Sequence, residues 1–254
     1  MVMTFTLPNG KEVKVKQFLY KHIRELLLHN NSLHTKLNYL EDFIVTKNLN
    51  VIEKFITLLM LREKCIRPTA QITIGGNDKD VNIKYILESF QECLDIRREV
   101  IRDNIEITLD YPSRFCVNTD NVLSVIRGIT IEGEALNLDI LTDEEFVQII
   151  NKLPADVLNN VNEFVSEKQD AFRYPLLQGK NNPINLNFLS SSPFLFIDSM
   201  FSGLDENTYR EYLFILSRRI PDVNFLVNST LVDILDYLEL YKRECDEENE
   251  KLQK

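Results

Sequence analysis

Phe194-Leu195-Phe196-Ile197-Asp198 has the form of the apolar segment and terminal carboxylate that hold magnesium in nucleotide hydrolases. That chemistry also needs a phosphate loop, GxxxxGK[ST], whose backbone N–H groups cradle the phosphates. Of the two Gly-Lys pairs, Gly10-Lys11 and Gly179-Lys180, the second has Tyr174 in place of the first loop glycine and Asn181 in place of the hydroxyl. Nucleotide hydrolysis is therefore not expected, and Asp198 reads as the polar side of a buried helical turn. His22, His29 and His34 are the only histidines, and the first two fall on one face if the segment is helical. Without HExxH, HxH or a nearby cysteine they read as surface or partly buried imidazoles rather than metal ligands. Cys65, Cys93, Cys116 and Cys245 contain no CxxC spacing and read as small apolar residues in a reducing compartment.

Nucleophile chemistry fares no better. Ser190-Ser191-Ser192 lacks the flanking glycines of a nucleophile elbow, and GxSxG is absent. The carboxylate runs Asp143-Glu144-Glu145 and Asp246-Glu247-Glu248 fall at a helix start and in a charged tail, where the macrodipole and solvation account for them. Seven glycines in 254 residues are few for phosphate loops and strained catalytic turns. The expectation is a protein that is not an enzyme, with no catalytic residue, no metal and no cofactor.

The elements that would position these residues are legible in outline. Thr4 to Leu7 and Glu12 to Lys16 flank Pro8-Asn9-Gly10-Lys11, where Asn-Gly supplies the positive φ of a tight turn, so the chain opens with a β-hairpin. Helical spacing follows at Leu19, Ile23, Leu26 and Leu27, at Leu37, Leu40 and Ile44, and at Ile52, Phe55, Ile56 and Leu59. Gln71 to Ile74 reads as a strand ending at Gly75-Gly76, and Ile83, Ile86, Leu87, Phe90, Leu94 and Ile101 predict one long helix near 81 to 102. Period-two alternation marks strands at 105 to 109 and 129 to 131, while 114 to 127 has no clear pattern. Thr142-Asp143-Glu144-Glu145 fits a capping box, and Pro154 opens a helix carrying Leu158, Val161, Phe164 and Val165. After a loop from Tyr174 to Ser192, helices are expected to open at Ser192-Pro193, Asp205 and Ser229, with the last dozen charged residues frayed. The fold class is α+β, mainly helical, with an N-terminal β-hairpin and a small central sheet. Two regions are expected, 1–175 with the hairpin, helices and sheet, and 176–254 as a helical region packed on it.

Composition narrows function further. A formal charge of -10 repels phosphate backbones, so no nucleic-acid partner is expected. Apolar runs such as Leu58 to Leu61 fall far short of the ~20 residues a membrane helix needs, so no membrane insertion is expected. The N-terminus lacks a signal-like pattern, so a cytoplasmic location is expected. Charge is uneven: residues 1 to 66 hold ten Lys or Arg and six Asp or Glu, net +4, leaving net -14 for the rest. Asn and Ile occur 24 times each and Ala four times, an A/T-rich codon signature.

Two places read as candidate protein interfaces. Phe194, Leu195, Phe196, Met200 and Phe201 put five large apolar side chains within eight positions, more than a short surface helix buries on one side. They form either a core helix or a docking surface. Val13 and Val15 alternate with Glu12, Lys14 and Lys16, which gives the second hairpin strand one apolar face. A two-stranded hairpin is marginal alone, so the strands near 71 to 74, 105 to 109 and 129 to 131 are expected to complete its sheet, or else its edge is free for strand addition.

The order of features resembles the baseplate hub assembly proteins of T4-type contractile-tailed bacteriophages. The matching stretches are Thr6-Leu7-Pro8-Asn9-Gly10-Lys11, the Leu153-Pro154 junction, Pro193 through Phe201, Tyr209-Arg210-Glu211-Tyr212, and Ser229 to Glu244. The resemblance implies a non-catalytic assembly factor or chaperone acting by protein binding in the infected cell's cytoplasm. Its implied partners are the baseplate hub and other tail proteins; apart from the resemblance, a free hairpin edge would also allow self-association. Alternatives from other classes are a structural hub component of the virion, a metal-dependent or hydrolytic enzyme without a recognisable motif, or a cellular adaptor unrelated to phage.

Overall fold

The computed structural model describes residues 1–28, 33–74, 77–90, 98–112, 122–171, 186, 188–189, 192–201 and 206–252. In chain order the elements are β1 (Val2–Thr6), β2 (Glu12–Lys16), α1 (Tyr20–Leu28), α2 (Leu33–Glu41), α3 (Val51–Cys65), β3 (Thr69–Ile74), β4 (Asn77–Asn82) and α4 (Ile83–Ser89). There follow β5 (Arg98–Arg102), β6 (Ile105–Leu109), β7 (Ile126–Ile131), β8 (Glu134–Ala135), α5 (Asp143–Ile150) and α6 (Ala155–Ala171). The chain closes with α7 (Ser192–Phe201), α8 (Glu206–Ser217), α9 (Val223–Val227) and α10 (Leu231–Leu252). The fold is α+β and mainly helical, with the N-terminal hairpin and a four-stranded sheet.

Local chemistry explains most of these boundaries. The β1–β2 hairpin turns through Pro8, Asn9 and Gly10, with Gly10 at φ +81° and its N–H donating to the Leu7 carbonyl at 2.8 Å. Only Gly10 takes the left-handed conformation, as a three-residue loop requires. The capping box opening α5 is present: Glu145 N–H donates to the Thr142 hydroxyl, and Thr142 N–H donates to the Glu145 carboxylate at 2.9 Å. An equivalent box opens α3, with Asn50 and Glu53 exchanging bonds of 3.0 and 2.9 Å.

Several expectations are corrected. The helix predicted over 81 to 102 stops at Ser89, and 98 to 102 forms β5, antiparallel to β6. Helical spacing had put Ile101 on the apolar stripe, yet Ile101 is 70% exposed while its neighbour Val100 is buried opposite Ile107. Strand alternation wins because β-branched residues face each other across the pair. The polar stretch Asn77 to Asp80, which the sequence does not mark as a strand, belongs to β4 and pairs with β3. The last helix is capped by Thr230 rather than Ser229, with Asp233 N–H donating to the Thr230 hydroxyl at 3.1 Å, and it stays helical to Leu252 where fraying was expected.

The mid-chain strands do not complete the hairpin's sheet either. β3 pairs with β4, while β5, β6, β7 and β8 form their own antiparallel meander. Every one of these pairings joins strands consecutive in the chain, which costs less chain entropy than reaching back to a strand near the N-terminus.

The chain divides into two compact units: residues 1–47, 56–88 and 195–254, and residues 48–55 and 89–194. The boundary expected at 175 lies outside the described residues. In the first unit Phe18 packs against Phe43 and Phe201 with ring centroids 5.0 and 5.8 Å apart. Tyr20 stacks on Tyr209 at 4.4 Å and donates its hydroxyl to the Tyr209 carbonyl. Arg62, buried at the end of α3, donates to the carbonyls of Met200, Arg67 and Thr69. Burial lowers its pKa to about 10, and the guanidinium ties α7 and the start of β3 to α3. In the second unit Phe55, Phe90 and Phe188 form a three-ring cluster, Phe55 to Phe188 being 5.1 Å. Arg98 lies over the Phe164 ring and pairs with Glu167, holding α6 against β5.

Candidate protein-interaction surfaces

Val13 and Val15 are fully buried and, with Phe5, form the inner face that seats the hairpin on the first unit. The two edges of the hairpin differ. Gln17 N–H donates to the Met1 carbonyl and Leu7 N–H to the Lys11 carbonyl, both at 2.9 Å. Antiparallel alternation then makes Met3 with Val15 and Phe5 with Val13 the hydrogen-bonded pairs, turning the N–H and C=O groups of residues 12, 14 and 16 to the β2 side. That side is occupied: Lys16 N–H donates to Phe43, Val45 N–H to Lys14, and Lys14 N–H to the Thr46 hydroxyl. By the same alternation Val2, Thr4 and Thr6 direct their backbone groups to the β1 side. Among the described residues no strand lies there, and no hydrogen bond reaches those groups.

The apolar cluster of α7 is split. Phe196, Met200 and Phe201 are buried in the first unit, whereas Leu195 is 57% exposed. Phe194 is part of α7, and its side chain lies outside the described set. Asp198, one turn beyond Phe194, accepts from Lys36 Nζ at 2.7 Å. This half-buried ion pair accounts for the carboxylate that resembled a magnesium ligand.

Sequence reasoning missed a second set of exposed apolar side chains on the first unit. Phe214 on α8 is 61% exposed with Arg218 over its ring, and Phe225 on α9 packs beside Tyr237 of α10. Phe214 stands off the buried stripe of Tyr209 and Leu216, which is the signal that could have found it. α9 is five residues long, set by the Asp222 cap on Phe225 N–H at 3.1 Å, too short for periodicity to reveal.

A groove of about 440 Å³ in the first unit is lined by Met1, Val2, Lys16, Lys21, His22, Glu25, Tyr39 and Asp42, among others. His22 Nδ1 accepts from Leu19 N–H at 2.9 Å, and the ring packs against both Phe18 and Phe43. Burial lowers its pKa, so the imidazole is neutral, with its proton on Nε2. Tyr39 donates a short hydrogen bond to Glu25, and burial with that carboxylate raises the phenol's pKa. His34 lies on α2 within 3.2 Å of the Asn38 amide, and His29 is outside the described residues. Cys65 is buried, which pushes its thiol up to about 11, and Cys245 is half-buried; Cys93 and Cys116 are outside the described set. Among the described residues no three His, Cys, Asp or Glu groups converge as a metal site, and no helix is long and apolar enough to cross a membrane.

A sequence model of the family described as T4 bacteriophage base plate protein matches residues 1–175, from the hairpin through α6. The chain belongs to that family, and its role is a baseplate-related one. No curated protein and no solved structure matches it.

Proposed function

We propose that this protein is an assembly factor for the baseplate hub, acting by transient protein binding and without catalysis. The observation that carries the reading is the baseplate family match over residues 1–175, which takes in the open-edged hairpin. Leu195, Phe214 and Phe225 are exposed apolar side chains available to a partner surface. The partners are hub and other tail proteins, and the setting is the infected cell's cytoplasm.

The test is infection with a phage unable to make this chain. Baseplate wedges should accumulate without completed hubs, supplying the chain in trans should restore tails, and mass spectrometry of finished virions should lack it. Normal hubs in its absence would overturn the assembly role. Stoichiometric recovery from virions would make the chain a structural hub component instead.

A further inference from the structure

We propose that two copies of this chain pair through the outer edge of β1, antiparallel about Thr4, to form one four-stranded sheet from two hairpins. The inference goes beyond the assembly role and does not rest on it. Val2, Thr4 and Thr6 are the β1 residues whose N–H and C=O groups point to the open edge, and they are spaced evenly about Thr4. A two-fold axis at Thr4 therefore sets Thr4 against Thr4 and Val2 against Thr6 of the second copy. Every outward N–H then meets a carbonyl, in the narrow-pair geometry of an antiparallel ladder. A closed two-fold contact of this kind uses the same patch on both copies and leaves no edge for a third.

Charge selects the occupant. Exposed edges in soluble proteins are normally guarded by charged side chains, proline or a bulge. β1 has none of these from Val2 to Thr6, whereas β2 carries Glu12, Lys14 and Lys16 on the edge already covered by residues 43 to 46. An uncharged edge has no opposite charge to favour a charged strand, and β1 itself is an uncharged strand in a register that opposes no like charges. The solvent-side pairing sets threonine against threonine and covers part of Val2, which is 57% exposed. The inner face needs no rearrangement, because Phe5 is already buried beneath the hairpin.

Light scattering from low to high micromolar protein should show the mass rising from 29.7 kDa toward twice that value. Over the same range, hydrogen exchange should slow at the amides of Val2, Thr4 and Thr6. Thr4→Glu alone and Thr4→Lys alone should each stay monomeric, because the introduced charges face their own kind across the axis. An equimolar mixture of the two should dimerise more strongly than the native chain. Thr4 is exposed, so circular dichroism of both variants should match the native spectrum. A native chain that stays at monomer mass at high micromolar concentration, or a Thr4→Glu variant as dimeric as the native chain, would overturn the proposal.

Discussion

At the scale of single residues, Arg62 and Asp198 hold elements of the first unit together. Arg62 satisfies three carbonyls, one on α7 and two at the approach to β3, so Arg62→Met should leave them buried without a donor and cost about 3 kcal/mol in urea unfolding. Arg62→Lys should recover only part of this, because an ammonium cannot reproduce the planar fork. Asp198→Ala should cost about 1–2 kcal/mol by stranding the Lys36 ammonium, after discounting for Asp198's partial exposure, and should leave magnesium affinity unchanged. His22 carries a pH dependence. Its folded pKa lies below the ordinary 6.5, so the unfolded chain binds the proton first as pH falls. The stability His22 provides is intact above that value and declines on acidification through it, until the folded ring also protonates. Melting temperatures measured between about pH 7 and about pH 5 should therefore fall less steeply in His22→Phe than in the native chain.

At the scale of elements, α7 shows what a sequence conveys and where it stops. Its concentration of large apolar residues marked it as important, but only the packing separates buried Phe201 from exposed Leu195. Phe201→Ser should cost about 3–4 kcal/mol and depress soluble yield, since it removes the ring packed on Phe18. Leu195→Ser should leave thermal melting within about 0.5 kcal/mol of native, and a drop in partner capture by that variant would assign it to the interface. The hairpin and the α5 cap were legible because Pro8-Asn9-Gly10 and Thr142 with Glu145 act through neighbours in sequence. β5 and β4 were not. Ile101 fits a helical stripe as well as a strand, and Asn77 to Asn82 has too few apolar residues to show alternation. The covered edge of β2 was equally invisible, because the 43 to 46 segment that meets it is distant in sequence.

At the scale of the molecule, the resemblance read from residue order and the family match over residues 1–175 agree on a baseplate protein. What residue order does not carry is which surface meets which partner, since that depends on exposure at positions such as Phe214 and Phe225, and exposure is a property of the folded unit. The central claim is that this chain works by binding the proteins of the hub. It is tested most directly by affinity purification of the tagged chain from phage-infected cells late in infection, with mass spectrometry of what is retained. Baseplate hub proteins should be enriched over capsid and host proteins, and denaturing the tagged chain should abolish that enrichment. Recovery of the chain alone, or with host metabolic enzymes and no tail protein, would contradict it.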